Sequence, residues 1–367
     1  MIRLNPFISR GCFYNYINSI RNPVGGVILY VHNSLCSLPA AAILVFGDST
    51  VDSGNNNYIA TPFKANFPPY GIDFPNHIPT GRFSDGRLVP DFLAHYTRVK
   101  DYVPPYLDPT LTVDDLATGV CFASAASGFD PLTAQISAVI PMQKQLEYFQ
   151  DYKTKLENSI GEEKTKSLIS NAAFFISAGS NDFMINYFGT TFRRQTYTLS
   201  NYEQLLLQNI QEFIQTLIDK GARLIGLVGL PPLGCSPAVI SLNPGSAFGP
   251  RQCNESLSQI AIDFNQKLQS QLKAMQTDQG PTILYFDFYQ SLTEMLQKPS
   301  QFGFDETNTG CCGSGLIEAG FACNVGSYVC PDPSKYVFFD SIHPTEATYN
   351  YVFKKMQPVI DEIIQGQ

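Results

Sequence analysis

From residue 41 onward, short continuous apolar runs alternate with longer amphipathic stretches. AAILVF at 41–46, AAFFISAG at 172–179, RLIGLVGL at 223–230 and TILYFDF at 282–288 show no apolar–polar alternation, and a shorter run, GVCFAS, lies at 119–124. A strand with one wet face alternates, so these runs predict parallel strands covered on both faces. Between them apolar residues recur at helical spacing. Leu206, Ile210, Phe213, Ile214, Leu217 and Ile218 form one stripe, with Gly221 as its stop. Leu257, Ile260, Ala261, Phe264 and Leu268 form another. Tyr349, Val352, Phe353 and Met356 form a third, after Pro344, which is placed at the first helical position. Strand and helix in repeated alternation predict a doubly wound sheet. With no repeat, low-complexity tract or linker, residues 41–367 are expected to form one domain.

Composition narrows the function classes. Of 367 residues 44% are hydrophobic and 15% charged, enough apolar material for a sizeable core and too little charge for a disordered chain. Lys and Arg number 24 against 32 Asp and Glu, a net charge of −8, so the basic face a nucleic-acid binder needs is absent. No apolar run approaches the ~18 residues of a spanning helix, so no transmembrane segment is expected.

Cysteine placement points to a compartment. Cys311, Cys312, Cys323 and Cys330 crowd into a Gly-rich stretch. A zinc site wants spaced Cys pairs, and Cys311 and Cys312 are adjacent, so two disulfides of open pairing are expected and no metal. Cys235 and Cys253 flank a Pro/Gly-rich loop and are expected to close it, a bridge worth roughly 3 kcal/mol. Bridges imply an oxidising compartment. Residues 1–40 read as an atypical secretory leader: Arg3, Arg10 and Arg21, the apolar VGGVILYV at 24–31, broken by His32 and Asn33, then SLPAAA at 37–42. One glycosylation tripeptide, Asn254-Glu255-Ser256, suits a secreted chain. A secreted protein is expected.

Ligands in such sheets bind beyond the carboxyl ends of the strands. The residues there are Gly47-Asp48-Ser49-Thr50, Gly179-Ser180-Asn181-Asp182 and the segment Gly229 to Cys235. No Gly-x-Ser-x-Gly elbow, phosphate loop or dinucleotide fingerprint is present. Of four histidines, His32 lies in the leader, and His77 and His95 have no obvious acidic partner. His343 follows Asp340 by three residues, a carboxylate that can fix the ring's tautomer and favour its cation. Asp48 and Asp182 are read as structural hydrogen-bond acceptors.

These blocks resemble the plant GDSL esterase/lipase family of the SGNH hydrolases. The resemblance rests on FGDSTVDSGNNN at 46–57, GRFSDGRLVPDFLA at 81–94, GSNDF at 179–183, GLPPLGCSP at 229–237 and FFDSIHPTEATY at 338–349. FASAASGFDPLT at 122–133 is similar to the extracellular-lipase-like subgroup. The resemblance implies a flavodoxin-like three-layer α/β/α sandwich around a parallel sheet. It implies Ser49 as nucleophile, His343 as general base and Asp340 as its orienting acid. The oxyanion hole would comprise the Ser49 N–H, a second-block N–H and the Asn181 side chain. In the second block the family commonly has Asn-Phe-Ala-Ser-Gly-Gly, and this chain has Cys121-Phe122-Ala123-Ser124-Ala125-Ala126. Ala126 takes the glycine's place, and its donor survives if the backbone there does not need φ > 0. The missing Asn is expected to leave the loop less firmly held. The reaction implied is carboxylic-ester hydrolysis through an acyl-serine, on a small or polymeric ester, with no metal or organic cofactor. The rivals are an acyltransferase with the same triad and a non-catalytic cell-wall or lipid-binding protein.

Overall fold

The computed structural model describes residues 17–21, 27–31, 40–243 and 250–366. Strands β1 (Ile17–Arg21) and β2 (Val27–Val31) pair antiparallel within the expected leader, and the rest of residues 1–39, with Cys12, His32 and Cys36, lies outside the described residues. The central sheet is parallel, in the order β3 (Ile43–Gly47), β4 (Ala173–Ser177), β5 (Leu224–Val228), β6 (Thr282–Phe286). The fifth apolar run lies along the free edge of β3. Ile43 and Val45 donate to the carbonyls of Thr118 and Val120, and Phe122 and Ser124 donate to those of Val45 and Gly47. It forms isolated parallel bridges rather than a regular strand, because its outer edge bonds to the loop at Pro104 and Tyr106. Counted in chain order the sheet is 2-1-3-4-5, the flavodoxin arrangement, whose switch point falls between β3 and β4.

Helices α1 (Val89–Tyr96), α2 (Met142–Ile160), α3 (Leu199–Asp219), α4 (Pro237–Leu242), α5 (Glu255–Met275), α6 (Phe288–Gln297) and α7 (Glu346–Gly366) lie in the connections with shorter turns. Successive strand residues serve opposite faces. Leu44 and Phe46 join Phe122, Phe149, Phe174 and Phe213 in one core, under α2, α3 and α5. Ile43 and Val45 join Leu93, Phe286, Leu292 and Phe353 in the other, under α1, α6 and α7. Both faces are covered, as the continuous apolar runs require.

The helix stripes lie where periodicity put them, and Gly221 follows α3 at φ +109°. The start of α7 differs from the expectation. Pro344 stays outside the helix and bridges to Phe338, while the Thr345 hydroxyl accepts from the Thr348 N–H. A first turn needs an acceptor for its free N–H groups, and the hydroxyl supplies one.

Three disulfides are present among the described residues: Cys235–Cys253, Cys311–Cys330 and Cys312–Cys323. The last two staple an excursion between β7 (Glu306–Gly310) and β8 (Tyr336–Phe338), which pair in parallel. Their four half-cystines pack with Tyr70, Phe83 and Phe339 in a small buried cluster.

Candidate active site

Ser49 sits in the turn that leaves β3. Gly47 has φ +139°, and a Cβ there would lie 1.9 Å from the Ser177 carbonyl oxygen at the end of β4. Only glycine permits this approach. Buried Gln145, on α2, accepts from the Gly47 N–H and donates to its carbonyl, both at 2.9 Å. Asp48 Oδ1 accepts from the Thr50 N–H and hydroxyl, closing the turn. Burial pushes the Asp48 carboxyl up to about 6, against the Thr50 hydrogen bonds and the charge of His343.

From the other end of the chain, the turn between β8 and α7 brings His343 over Ser49. His343 Nε2 lies 2.9 Å from Ser49 Oγ, and Nδ1 lies 2.7 Å from Asp340 Oδ2. Asp340 Oδ1 accepts from the Ile342 and His343 N–H groups at 2.8 and 2.7 Å. The three-residue spacing thereby acquires a physical reason: the carboxylate closes its own turn and folds the imidazole back onto its second oxygen. Tyr70 Oη also donates to Asp340 Oδ2, at 2.7 Å. Burial pushes the Asp340 carboxyl up, but the charge and hydrogen bonds of His343, with the Tyr70 hydroxyl, hold it below the usual carboxylate range. The segment 81–94 supports this turn. Ser84 Oγ donates to the Pro344 carbonyl, Asp85 accepts from the Glu346 N–H, and the Phe83 ring packs 4.8 Å from the imidazole.

Ser49, Ala126 and Asn181, each with a donor group, line the same cavity. The N–H groups of Ser49 and Ala126 donate to no protein acceptor among the described residues. Asn181 follows β4, and its Nδ2 donates to the Ser127 carbonyl at 2.9 Å, with Asp48 Oδ2 at 3.5 Å. Ala126 has φ +66°, so it occupies the region that favours glycine. The condition set for a relaxed alanine is not met, and the residue is strained, yet its N–H is free. The expectation of a loose loop is not met either. Asn55 Nδ2 donates to the Cys121 and Ala123 carbonyls, Asn56 Nδ2 to that of Ala125, and Asp52 Oδ2 accepts from the Ala125 N–H. Asp182 accepts from the Phe129 and Asp130 N–H groups and the Thr133 hydroxyl, while burial pushes its carboxyl up to about 7. It is a structural acceptor.

The profile of the GDSL-like Lipase/Acylhydrolase family matches residues 43–356. The chain belongs to this GDSL family. It is 53% identical to GDSL esterase/lipase At5g45960 of Arabidopsis thaliana over 327 residues, 88% of this chain and 87% of that one. It is 45% identical to GDSL esterase/lipase At1g06990 of the same plant over 309 residues, 84% and 86% of the two chains.

In this GDSL protein two cavities meet at Ser49 and His343. One, of about 370 Å³, is walled by Phe63, Phe83, Met184, Val239, Leu242 and Phe321. The other, of about 80 Å³, is walled by Pro232, Phe288, Leu292 and Phe338. Asn181 borders both, and Ala126 borders the larger. Polar groups are thus concentrated at the serine and the walls are apolar.

Of the residues singled out from the sequence, Ser49, Asp340, His343, Asn181 and Ala126 come together. Asn254 does not: its Oδ1 accepts from the Leu257 N–H at 3.2 Å and caps α5. His95 has a partner that short-range reading missed, Asp101 at 3.4 Å on the surface. Gln145, Tyr70, Asn55 and Asn56 were also missed. The asparagines lie within a quoted block, so their supporting role had a signal; Tyr70 and Asp340 are 270 positions apart, and nothing local joins them.

Proposed function

We propose that this GDSL protein hydrolyses carboxylic esters through an acyl-Ser49 intermediate. The observation that carries the reading is the continuous Ser49–His343–Asp340 hydrogen-bonded chain beneath an apolar cavity. A serine hydroxyl is a weak nucleophile until a base takes its proton, and His343 Nε2 is in hydrogen-bond range of it. As Oγ attacks the carbonyl carbon, His343 takes the proton. Ionised Asp340 holds the tautomer and balances the imidazolium. The carbonyl oxygen becomes an oxyanion that meets the Ser49 N–H, the Ala126 N–H and Asn181 Nδ2. Collapse expels the alcohol, protonated by His343. Water then attacks the acyl-serine under the same base and frees the acid.

The apolar walls favour an ester with a substantial apolar part. An acyltransferase would follow the same steps with an alcohol in place of water, and product analysis with and without a competing polyol separates the two. A non-catalytic binder gives no reason for a complete relay with two unpaired N–H groups, those of Ser49 and Ala126, on the same cavity. Residues 1–40 as a leader ahead of one catalytic domain, Asn254 as a glycosylation acceptor and secretion of the enzyme are parts of the same proposal; the disulfides Cys235–Cys253, Cys311–Cys330 and Cys312–Cys323 support it, and no described helix is long and apolar enough to cross a membrane. The direct test is a fluorophosphonate probe. It should label Ser49, and Ser49→Ala should abolish labelling with an unchanged fold; labelling that persists in the variant removes Ser49 as nucleophile.

A further inference from the structure

Asp340 has four hydrogen-bond donors, and three of them come from its own turn. The fourth is the Tyr70 hydroxyl. Tyr70 is 1% exposed, and its oxygen in turn accepts the Gly320 N–H at 2.8 Å. Gly320 belongs to the excursion closed by Cys311–Cys330 and Cys312–Cys323. The ring is fixed on three sides, by Phe67 at 5.8 Å, Phe83 at 5.8 Å and Phe339 at 5.5 Å. The hydroxyl is therefore aimed, with its donor and acceptor capacity both used.

We propose that Tyr70 is a positioning residue for the Asp340–His343 pair, and that the disulfide-stapled excursion holds it in place through Gly320. The inference rests on the Ser49–His343–Asp340 reading.

Two consequences follow from the geometry. The first is orientation. With donors on both oxygens from outside the ring contact, the carboxylate plane cannot swing, so Oδ2 stays on Nδ1. The second is charge. Oδ2 is shared between Tyr70 and His343, and a hydroxyl donor draws negative charge from the oxygen. The imidazolium is then held less strongly than by a carboxylate with no second donor. Tyr70 thereby favours the neutral ring, the form that accepts the serine proton. The other ionisable groups facing the pair are Asp48, in the turn below Ser49, and Tyr349, on α7, with Asp85 next to Tyr349. The Glu318 carboxylate, on the excursion, is turned to the N–H groups of Ser314, Leu316 and Ile317. None of these touches Oδ2.

The experiment compares Tyr70→Phe with Phe67→Leu, a packing change against the same ring that keeps the hydroxyl. In Tyr70→Phe the acid limb of kcat/KM should move up by ~0.5–1 pH unit, and kcat should fall ~3–30-fold with KM within twofold. The downfield proton resonance of the His343–Asp340 hydrogen bond should shift as well. Phe67→Leu should lower thermal stability and leave limb and resonance in place. An unmoved limb and resonance in folded Tyr70→Phe overturns the proposal, as does an equal shift in Phe67→Leu. If Ser49→Ala is inactive while Tyr70→Phe behaves as wild type, this inference alone fails. If Ser49→Ala keeps full activity, the reading beneath it fails and the inference with it.

Discussion

The strained alanine in the oxyanion loop gives the sharpest test of the site's geometry. Residues 124–127 form a turn closed by the Ser127 N–H on the Ser124 carbonyl, and Ala126 is its third residue at φ +66°. That position with positive φ is one that glycine fills in type II turns. Ala126→Gly has three effects on stability. It relieves ~1–2 kcal/mol of left-handed strain. It removes one buried methyl from the small cluster with Ala134 and Val139, costing ~0.8 kcal/mol. It loosens the unfolded chain, costing ~0.5–1 kcal/mol. The terms nearly cancel, so the expected change is within ~0.5 kcal/mol of zero. Ala134→Gly is the control: it lies in the same cluster, buried, in the helical turn Pro131–Ser137. It has no strain to relieve and should cost about 1.5–2 kcal/mol. Urea unfolding with the disulfides intact measures both. The Ala126 N–H survives the change, so kcat/KM on a p-nitrophenyl ester should stay within ~3-fold. An Ala126→Gly loss as large as that of Ala134→Gly would refute the left-handed backbone at 126, and with it the donor geometry. Ala126→Val should be far worse, because a branched side chain tolerates positive φ poorly.

Asn181→Ala should lower kcat by ~10²–10³ with little change in KM; a loss confined to KM would make Asn181 a binding group only. Asp340→Asn should cut the rate by up to ~10⁴ while the fold survives, and in wild type kcat/KM should fall toward acid, because a protonated imidazole cannot take the serine proton; a flat acid side would remove His343 as the base. Stability should fall as pH rises from about 4 to 7, because buried Asp48 and Asp52 are pushed up to about 6 and Asp182 to about 7, so the folded chain keeps protons the unfolded chain releases. Asp340, held low, works the other way, its contribution being present above the unfolded value and lost in acid; a urea midpoint that rises steadily between pH 4.5 and 7.5 would contradict the balance. Peptide mapping of unreduced protein should recover the pairings Cys235–Cys253, Cys311–Cys330 and Cys312–Cys323, and a different pairing among Cys311, Cys312, Cys323 and Cys330 would contradict the placement of the excursion on Tyr70.

Sheet and helices were legible because burial on two faces leaves a one-dimensional trace. β4, β5 and β6 lie inside their apolar runs, β3 extends one residue past its run to Gly47, and α3 and α5 carry their stripes inward. The run at 119–124 was legible as apolar and not as a bridge, since its regularity is broken by a loop that joins its outer edge. Asp340 and His343 were legible as a pair because the turn that joins them is local. Gln145 was not: it reads as one more polar residue on α2, and only the tertiary fold places its amide on Gly47. Pro344 was misplaced by two residues because proline's preference for a helix start says nothing about which neighbour supplies the cap.

The quoted blocks divide into a few reacting groups and a larger frame, and the frame explains why each block is longer than its chemistry. In the first block Ser49 alone is proposed to react, while Asp52, Asn55 and Asn56 tie the loop that carries Ala126. In the block at 81–94 no residue is proposed to react. Arg82 is buried and bidentate on Asp91, and Ser84 and Asp85 hold the start of α7, so the block anchors the turn that carries His343. The reason is topological. In a 2-1-3-4-5 sheet the crevice opens where β3 and β4 diverge, which puts Ser49 and Asn181 side by side but leaves the base to arrive from outside the sheet. His343 comes from a turn beyond the last central strand, where the Phe339 N–H donates to its carbonyl, so backbone pairing ties it to β8 and not to the central sheet. Side chains complete the hold: Ser84 and Asp85 at the helix start, Phe83 against the ring, and Tyr70 on the carboxylate, backed by two disulfides. Polar clamps therefore concentrate around His343, the one proposed catalytic group that no central strand carries.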